Sequence, residues 1–209
     1  MRVDAITQLL EAAASSPWLA PVLFLLVVAD AFLVLLPSET FVVALGALAF
    51  STGSPSIALV VAVATAGAIV GDNACYWIGR RIGTERFRWL RHPRAVAAIE
   101  RARNGLRRRP AAIILAARYI PYARIAANLT AGATRFSYRR YLPLTIVAGA
   151  GWAIYNCVVG ALFGAWLSDN PVLAIVLSVL VAIALGVAID AVTARLAART
   201  PRPRESERT

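Results

Sequence analysis

The chain has 209 residues, 59% of them hydrophobic, and a mean hydropathy of +0.67. That is too apolar for a water-soluble domain, and apolar stretches near the ~20 residues a spanning helix needs recur along it. The net charge of +11 is clustered, and every basic residue is an arginine, none of them between Val3 and Gly79; this pattern sets nucleic-acid binding aside in favour of cytoplasmic loops that obey the positive-inside bias.

Residues 2–16, RVDAITQLLEAAASS, place Val3, Ile6, Leu9 and Leu10 on one helical face. A short amphipathic helix lying at the interface is predicted over 1–16. A single membrane domain is expected from 17 to 195. Its first apolar stretch, 18–50, is interrupted by Asp30, Pro37 and Glu39 and is too long for one simple crossing. Two readings fit: a re-entrant hairpin entering from outside and broken at Pro37 and Ser38, or a crossing at 18–36 followed by a short outer segment. STGSPS at 51–56 is a turn, and 57–79 is long enough to span. Residues 80–109 then carry eleven arginines against Glu85 and Glu100, with an amphipathic helix in PRAVAAIERARNGL. This stretch is assigned to the cytoplasm.

The segment 110–134 holds ARYIPYARIAANLTAG, with Arg118 and Arg124 on either side of Pro121. Both of its flanks are basic, 80–109 before and RFSYRR at 135–140 after. A crossing would leave one basic flank outside, against the bias. The segment is therefore predicted to dip in, turn near Pro121 and return. Each arm is then about 12 residues, roughly 18 Å at the helical rise, or about half a bilayer. Such a fold brings Arg118 and Arg124 together at the tip. Residues 141–167 span outward, SDNP at 168–171 is an external turn, and 172–194 span back. The tail at 196–209 is basic, disordered and cytoplasmic. The fold class expected is all-α: a polytopic membrane protein with two opposed re-entrant helical hairpins and three spanning helices. The side of the N-terminus and the oligomeric state stay open.

The layout is a repeat, a broken hairpin followed by a spanning helix, twice over. Four stretches in order carry a resemblance: LLPSETFVVALGALA, GAIVGDNACYWIGRRIG, RYIPYARIAANLTAGATRFSYRRY and GAGWAIYNCVVGALFG. Together, from about residue 18 to 167, the chain resembles the DedA family of bacterial membrane proteins, related to the SNARE-associated or VTT proteins. Ser38 stands where the family usually has glycine, and Asn128 where proline is common. Ser51 stands where an acidic residue is often found. The resemblance implies a cytoplasmic-membrane lipid transporter or flippase. Some members return the polyprenyl-phosphate carrier of cell-wall synthesis across the membrane. Others move phospholipids or support membrane homeostasis that depends on the proton gradient.

Arg118 and Arg124 are the expected ligands of a phosphate head group, because guanidinium forks bind phosphate oxygens bidentately and keep their charge at depth. The alternative is a structural pairing with Glu39 or Asp72. Intramembrane charges cost at least ~2.5 kcal/mol each at the bilayer centre and are functional by default. Desolvation and a neighbouring arginine act oppositely on a carboxyl at a hairpin tip. Glu39 is therefore a proton-coupling residue or an ion-pair partner, and Asp72 shares both readings. Asp30, Tyr119, Tyr122, Asn128 and Thr130 are candidates to line the path, although Asp30 could equally face the outer water. Pro37, Ser38 and Pro121 mark the hairpin breaks. Trp77, Trp152 and Trp166 read as interface anchors and packing. Glycines 67, 71, 79, 132, 149, 151, 160 and 164 read as sites of close helix approach. Cys75 and Cys157 read as small buried residues, and His92 is the lone histidine. No metal or cofactor is expected, and no enzyme, since a phospho-enzyme pair of histidines and clustered carboxylates are both missing from the pattern. The expected partners are an anionic phosphate lipid and protons; a scramblase or a scaffold that does not transport is the alternative.

Overall fold

The computed structural model describes residues 12, 15–33, 36, 38–84, 92–118 and 121–166. The expected helix at 1–16 falls almost wholly outside the described residues. So do Pro37, Tyr119, the turn at 168–171, the span at 172–194 and the tail at 196–209. Among the described residues every element is a helix. They are α1 Leu19–Asp30, α2 Ser38–Thr52, α3 Ile57–Ile82, α4 Pro93–Arg108, α5 Pro110–Ala117, α6 Pro121–Ala133 and α7 Tyr138–Trp166.

Length separates these helices into two kinds. α3 has 26 residues and α7 has 29, about 39 and 43 Å at the helical rise, enough to cross a hydrocarbon core of ~30 Å with tilt. The others cannot cross alone. α1 and α2 have 12 and 15 residues, and α5 and α6 have 8 and 13. Both long apolar segments are thus broken where the charged residues and prolines lie. Pro121 opens α6 at its first position, where a missing N–H costs nothing. α5 is shorter than the expected arm of about 12 residues. The reason is that α4 runs on to Arg108, Pro110 restarts the helix, and Arg118 already caps its end.

The packing repeats with the chain. α3 and α7 lie against each other; α1 packs on α3, and α5 on α7. The second arms cross over, so that α2 runs along α7 and α6 runs along α3. Glycines make both crossovers possible. A methyl on Gly132 would overlap the Tyr76 carbonyl, and one on Gly79 the Leu129 carbonyl. In the other crossover a methyl on Gly160 would overlap the Val43 carbonyl, and one on Gly46 the Cys157 carbonyl. Gly149 has only ordinary contacts, and Gly151 has open space around it, so the expectation of close approach fails at both. Gly132→Ala and Gly160→Ala should each lose about 3 kcal/mol or more, because backbone rather than a flexible side chain must move. Gly151→Ala should leave stability unchanged. Thermal unfolding of the detergent-purified variants checks all three.

The interior and surface are inverted relative to a protein in water. Leu25, Leu33, Val147 and Leu162 are at least 59% exposed, while Asp30, Asp72, Arg118, Asn128 and Asn156 are buried. A bundle with an apolar outside and polar groups inside suits lipid as its solvent. At one end Leu106 of α4 joins Tyr76, Ile114, Ala131 and Tyr141 in a buried cluster. The turn from α6 to α7 passes through Arg135 at φ 55°. This left-handed conformation costs a residue with a Cβ about 1 kcal/mol.

Candidate functional site

Arg118 follows the last residue of α5 and reaches across to α3. Its Nη1 donates to Asp72 Oδ2 at 2.5 Å. Asn128 on α6 donates its Nδ2 hydrogen to the other carboxylate oxygen of Asp72 at 2.9 Å. The Tyr141 hydroxyl donates to the Asp72 backbone carbonyl at 3.0 Å. The pair is deeply enclosed, with side chains 2% and 4% exposed for Arg118 and Asp72. Such a pair is tolerated inside a bundle only when hydrogen bonds satisfy both ions. The carboxylate meets that condition and the guanidinium does not. Arg118 Nε and Nη2 are buried and have no hydrogen-bond partner among the described residues. These atoms form one planar edge of the guanidinium, the edge that engages an oxyanion with two parallel bonds.

Arg124, in the first turn of α6, does different work. Its Nη2 donates to the backbone carbonyl of Asp30 at 2.7 Å and to Asp30 Oδ2 at 3.0 Å. Asp30 is the last residue of α1, where carbonyls run out of intrahelical donors. The carbonyl of Ala31 accepts from Cys75 Sγ at 3.4 Å. In lipid an unpaired carbonyl costs several kcal/mol. Arg124 and Cys75 therefore cap a broken helix that carries an acid at its unfavourable end. Ser38 is buried beside Asp30 without a well-formed hydrogen bond.

The expected pairing of Glu39 with an arginine does not occur among the described residues. Glu39 stands on the exposed side of the first turn of α2. Its Oε1 instead accepts from the indole Nε1 of Trp152 at 3.4 Å. Asp30 takes the partner expected for Glu39, because it lies where α1 ends against α6, and it is buried rather than turned to water. Trp152, expected to anchor or pack, lies at the centre of the site. The Arg118 guanidinium lies 5.1 Å from its ring centroid, within cation–π range. One indole thus touches Arg118 with its face and Glu39 with its N–H. Asn128, a candidate to line the path, instead donates to Asp72. Tyr122 does not join them, being 72% exposed. Thr130 contributes its carbonyl, which accepts from the Thr134 hydroxyl at 2.7 Å.

Fold and site together define a membrane protein, helical throughout its described elements, whose broken helices bring opposite charges together inside an apolar bundle. The VTT domain family model matches residues 36–162, and the chain belongs to that family, the DedA family. It is 28% identical to Protein DedA of Escherichia coli strain K12 over 180 residues, 81% of each chain. It is 29% identical to inner membrane protein YohD of the same strain over 116 residues, 56% of this chain and 59% of that one. An uncharacterized membrane protein of Mycobacterium tuberculosis strain H37Rv is 37% identical over 99 residues, 43% of each chain. No solved structure gives a significant match.

Proposed function

We propose that the protein carries an anionic lipid of the polyprenyl-phosphate type across the cytoplasmic membrane, taking its phosphate on Arg118. The observation that supports this most is the buried Nε–Nη2 edge of Arg118, which no described protein group fills. A phosphomonoester would supply two oxygens to that edge and compete with Asp72 for the guanidinium. The site is enclosed, so loading requires the crossed arms to part, as in transporters built from broken helices. The protein acts as a carrier and not as an enzyme. Purified protein in liposomes tests this with polyprenyl phosphate, phosphatidylethanolamine and a neutral lipid. Polyprenyl phosphate should move about tenfold faster than the neutral lipid or more, an advantage of ~1.4 kcal/mol or better. Equal movement of all three lipids, or release of free phosphate, would overturn the reading.

Two re-entrant hairpins are part of the proposal. Leu106, which precedes α5, and Ala131, near the end of α6, share one buried cluster, and this supports an entry and a return on one side. Cysteines at Asn104 and Ser137, both exposed, should label from the cytoplasm in a chain with Cys75 and Cys157 replaced. A cysteine at Ser56 should label only from outside. Opposite-side labelling of 104 and 137 would end the second-hairpin reading. Leu106 itself is 1% exposed and unsuited to labelling.

Proton coupling is proposed to run through Glu39. Movement of Arg118 onto a phosphate would release the Trp152 ring, and with it the hydrogen bond that Glu39 accepts. Glu39→Gln should keep passive lipid exchange and lose its response to an imposed pH difference. A wild-type response in that variant would exclude Glu39 as the coupling residue.

A further inference from the structure

We propose that the basic end of the bundle holds a second anion site, separate from Arg118, that binds the phosphorylated headgroup of an anionic phospholipid. A cavity of about 720 Å³ opens there, and its lining includes Arg80, Arg81, Thr84, Glu100, Arg103 and Arg135. These residues come from the end of α3, the face of α4 and the turn between α6 and α7. Four guanidiniums thus converge from separate stretches on a space whose described lining holds one carboxylate. Arg103 Nη1 donates to that carboxylate, Glu100, at 3.2 Å. Arg80 Nη1 donates to the Tyr76 hydroxyl at 2.9 Å. Arg81 and Arg135 have no ion pair among the described residues.

A loop that needs only positive charge for its orientation spreads it in water, since gathered like charges repel. Convergence on a cavity asks for an anion. The backbone adds an independent sign. Arg135 holds a left-handed φ of 55°, where glycine or asparagine is the usual choice. Strain of this kind persists where a side chain is needed in place.

The surroundings favour a lipid over a soluble anion. Arg80 lies against the rings of Tyr76 and Trp77, at 6.0 and 5.7 Å from their centroids. Trp77 is 45% exposed and packs on Tyr138 at 5.4 Å. Tryptophan and tyrosine grouped beside arginine mark headgroup depth, and basic pockets between helices at that depth take lipid phosphates. The cavity shares no residue with the Arg118 site, so the inference stands whether or not the chain transports lipid.

The test uses the full chain in detergent and three probes: dioctanoyl phosphatidate, dioctanoyl phosphatidylcholine and glycerol 3-phosphate. Phosphatidate should bind about tenfold more tightly than phosphatidylcholine or better, and equimolar glycerol 3-phosphate should not displace it. Arg81→Gln and Arg135→Gly should each weaken phosphatidate about tenfold, the scale of one lost charge-assisted contact. Binding should persist in Arg118→Lys and there too fall about tenfold when Arg81→Gln is added, which separates this site from the one at Arg118. Arg135→Gly also removes the backbone strain, so its melting temperature should not fall and its lost binding is not a folding defect. Equal binding of the two lipids would overturn the site. So would wild-type affinity in both Arg81→Gln and Arg135→Gly. Full displacement by glycerol 3-phosphate would overturn its assignment to lipid.

Discussion

Asp72→Ala should destabilise the protein by about 3–5 kcal/mol, the usual consequence of removing one partner from a buried ion pair. The loss is not confined to one bond. Arg118 would keep its charge at depth with no carboxylate beside it, and the Asn128 amide would lose its acceptor. The double replacement Asp72→Asn with Arg118→Gln removes both charges at similar volume. It should recover most of the stability, because neutral polar groups can still hydrogen-bond there. Thermal unfolding in detergent measures both variants. A wild-type melting temperature for Asp72→Ala would show that the pair is not the buried contact described. The double variant should nevertheless fail to move lipid, which separates holding the bundle together from binding a ligand.

Arg118→Lys should reduce lipid movement about 100-fold, the equivalent of ~3 kcal/mol lost with a bidentate charge-assisted contact. Lysine retains the charge and can pair with Asp72, so the protein should insert and melt close to wild type. What it lacks is the second donor edge. Arg124→Lys should behave differently. Arg124 holds the carbonyl and carboxylate of Asp30 at once, and its loss should register in stability before rate. The sequence treats the two arginines alike; their partners separate them.

The breaks in both apolar segments were legible because proline and charge inside an apolar run have few alternatives. The long helix beginning at 57 was legible for the same reason, since the stretch is long, apolar and followed by arginine. The partner of each arginine was not. Arg124 and Asp30 are 94 residues apart in sequence, and they meet because α6 crosses to α3, the helix on which α1 also packs. Local pattern gives charge and periodicity but not crossover. Trp152 was hidden in a stretch of small residues, where packing was the simpler reading. The one available signal was its indole N–H, which needs an acceptor once the ring is buried. Gly132 and Gly160 were readable as close contacts, but Gly151 reads identically in the sequence and faces open space. Only the neighbouring helix decides between them.

The claim that Arg118 takes the phosphate of a carried lipid is tested most directly by the initial rate of polyprenyl-phosphate movement in liposomes. Wild type and Arg118→Lys should be compared at equal reconstituted protein and matched melting temperature. The account predicts movement in wild type and near-background movement in the variant. Equal rates in the two, or no movement of polyprenyl phosphate by wild-type protein, would contradict it.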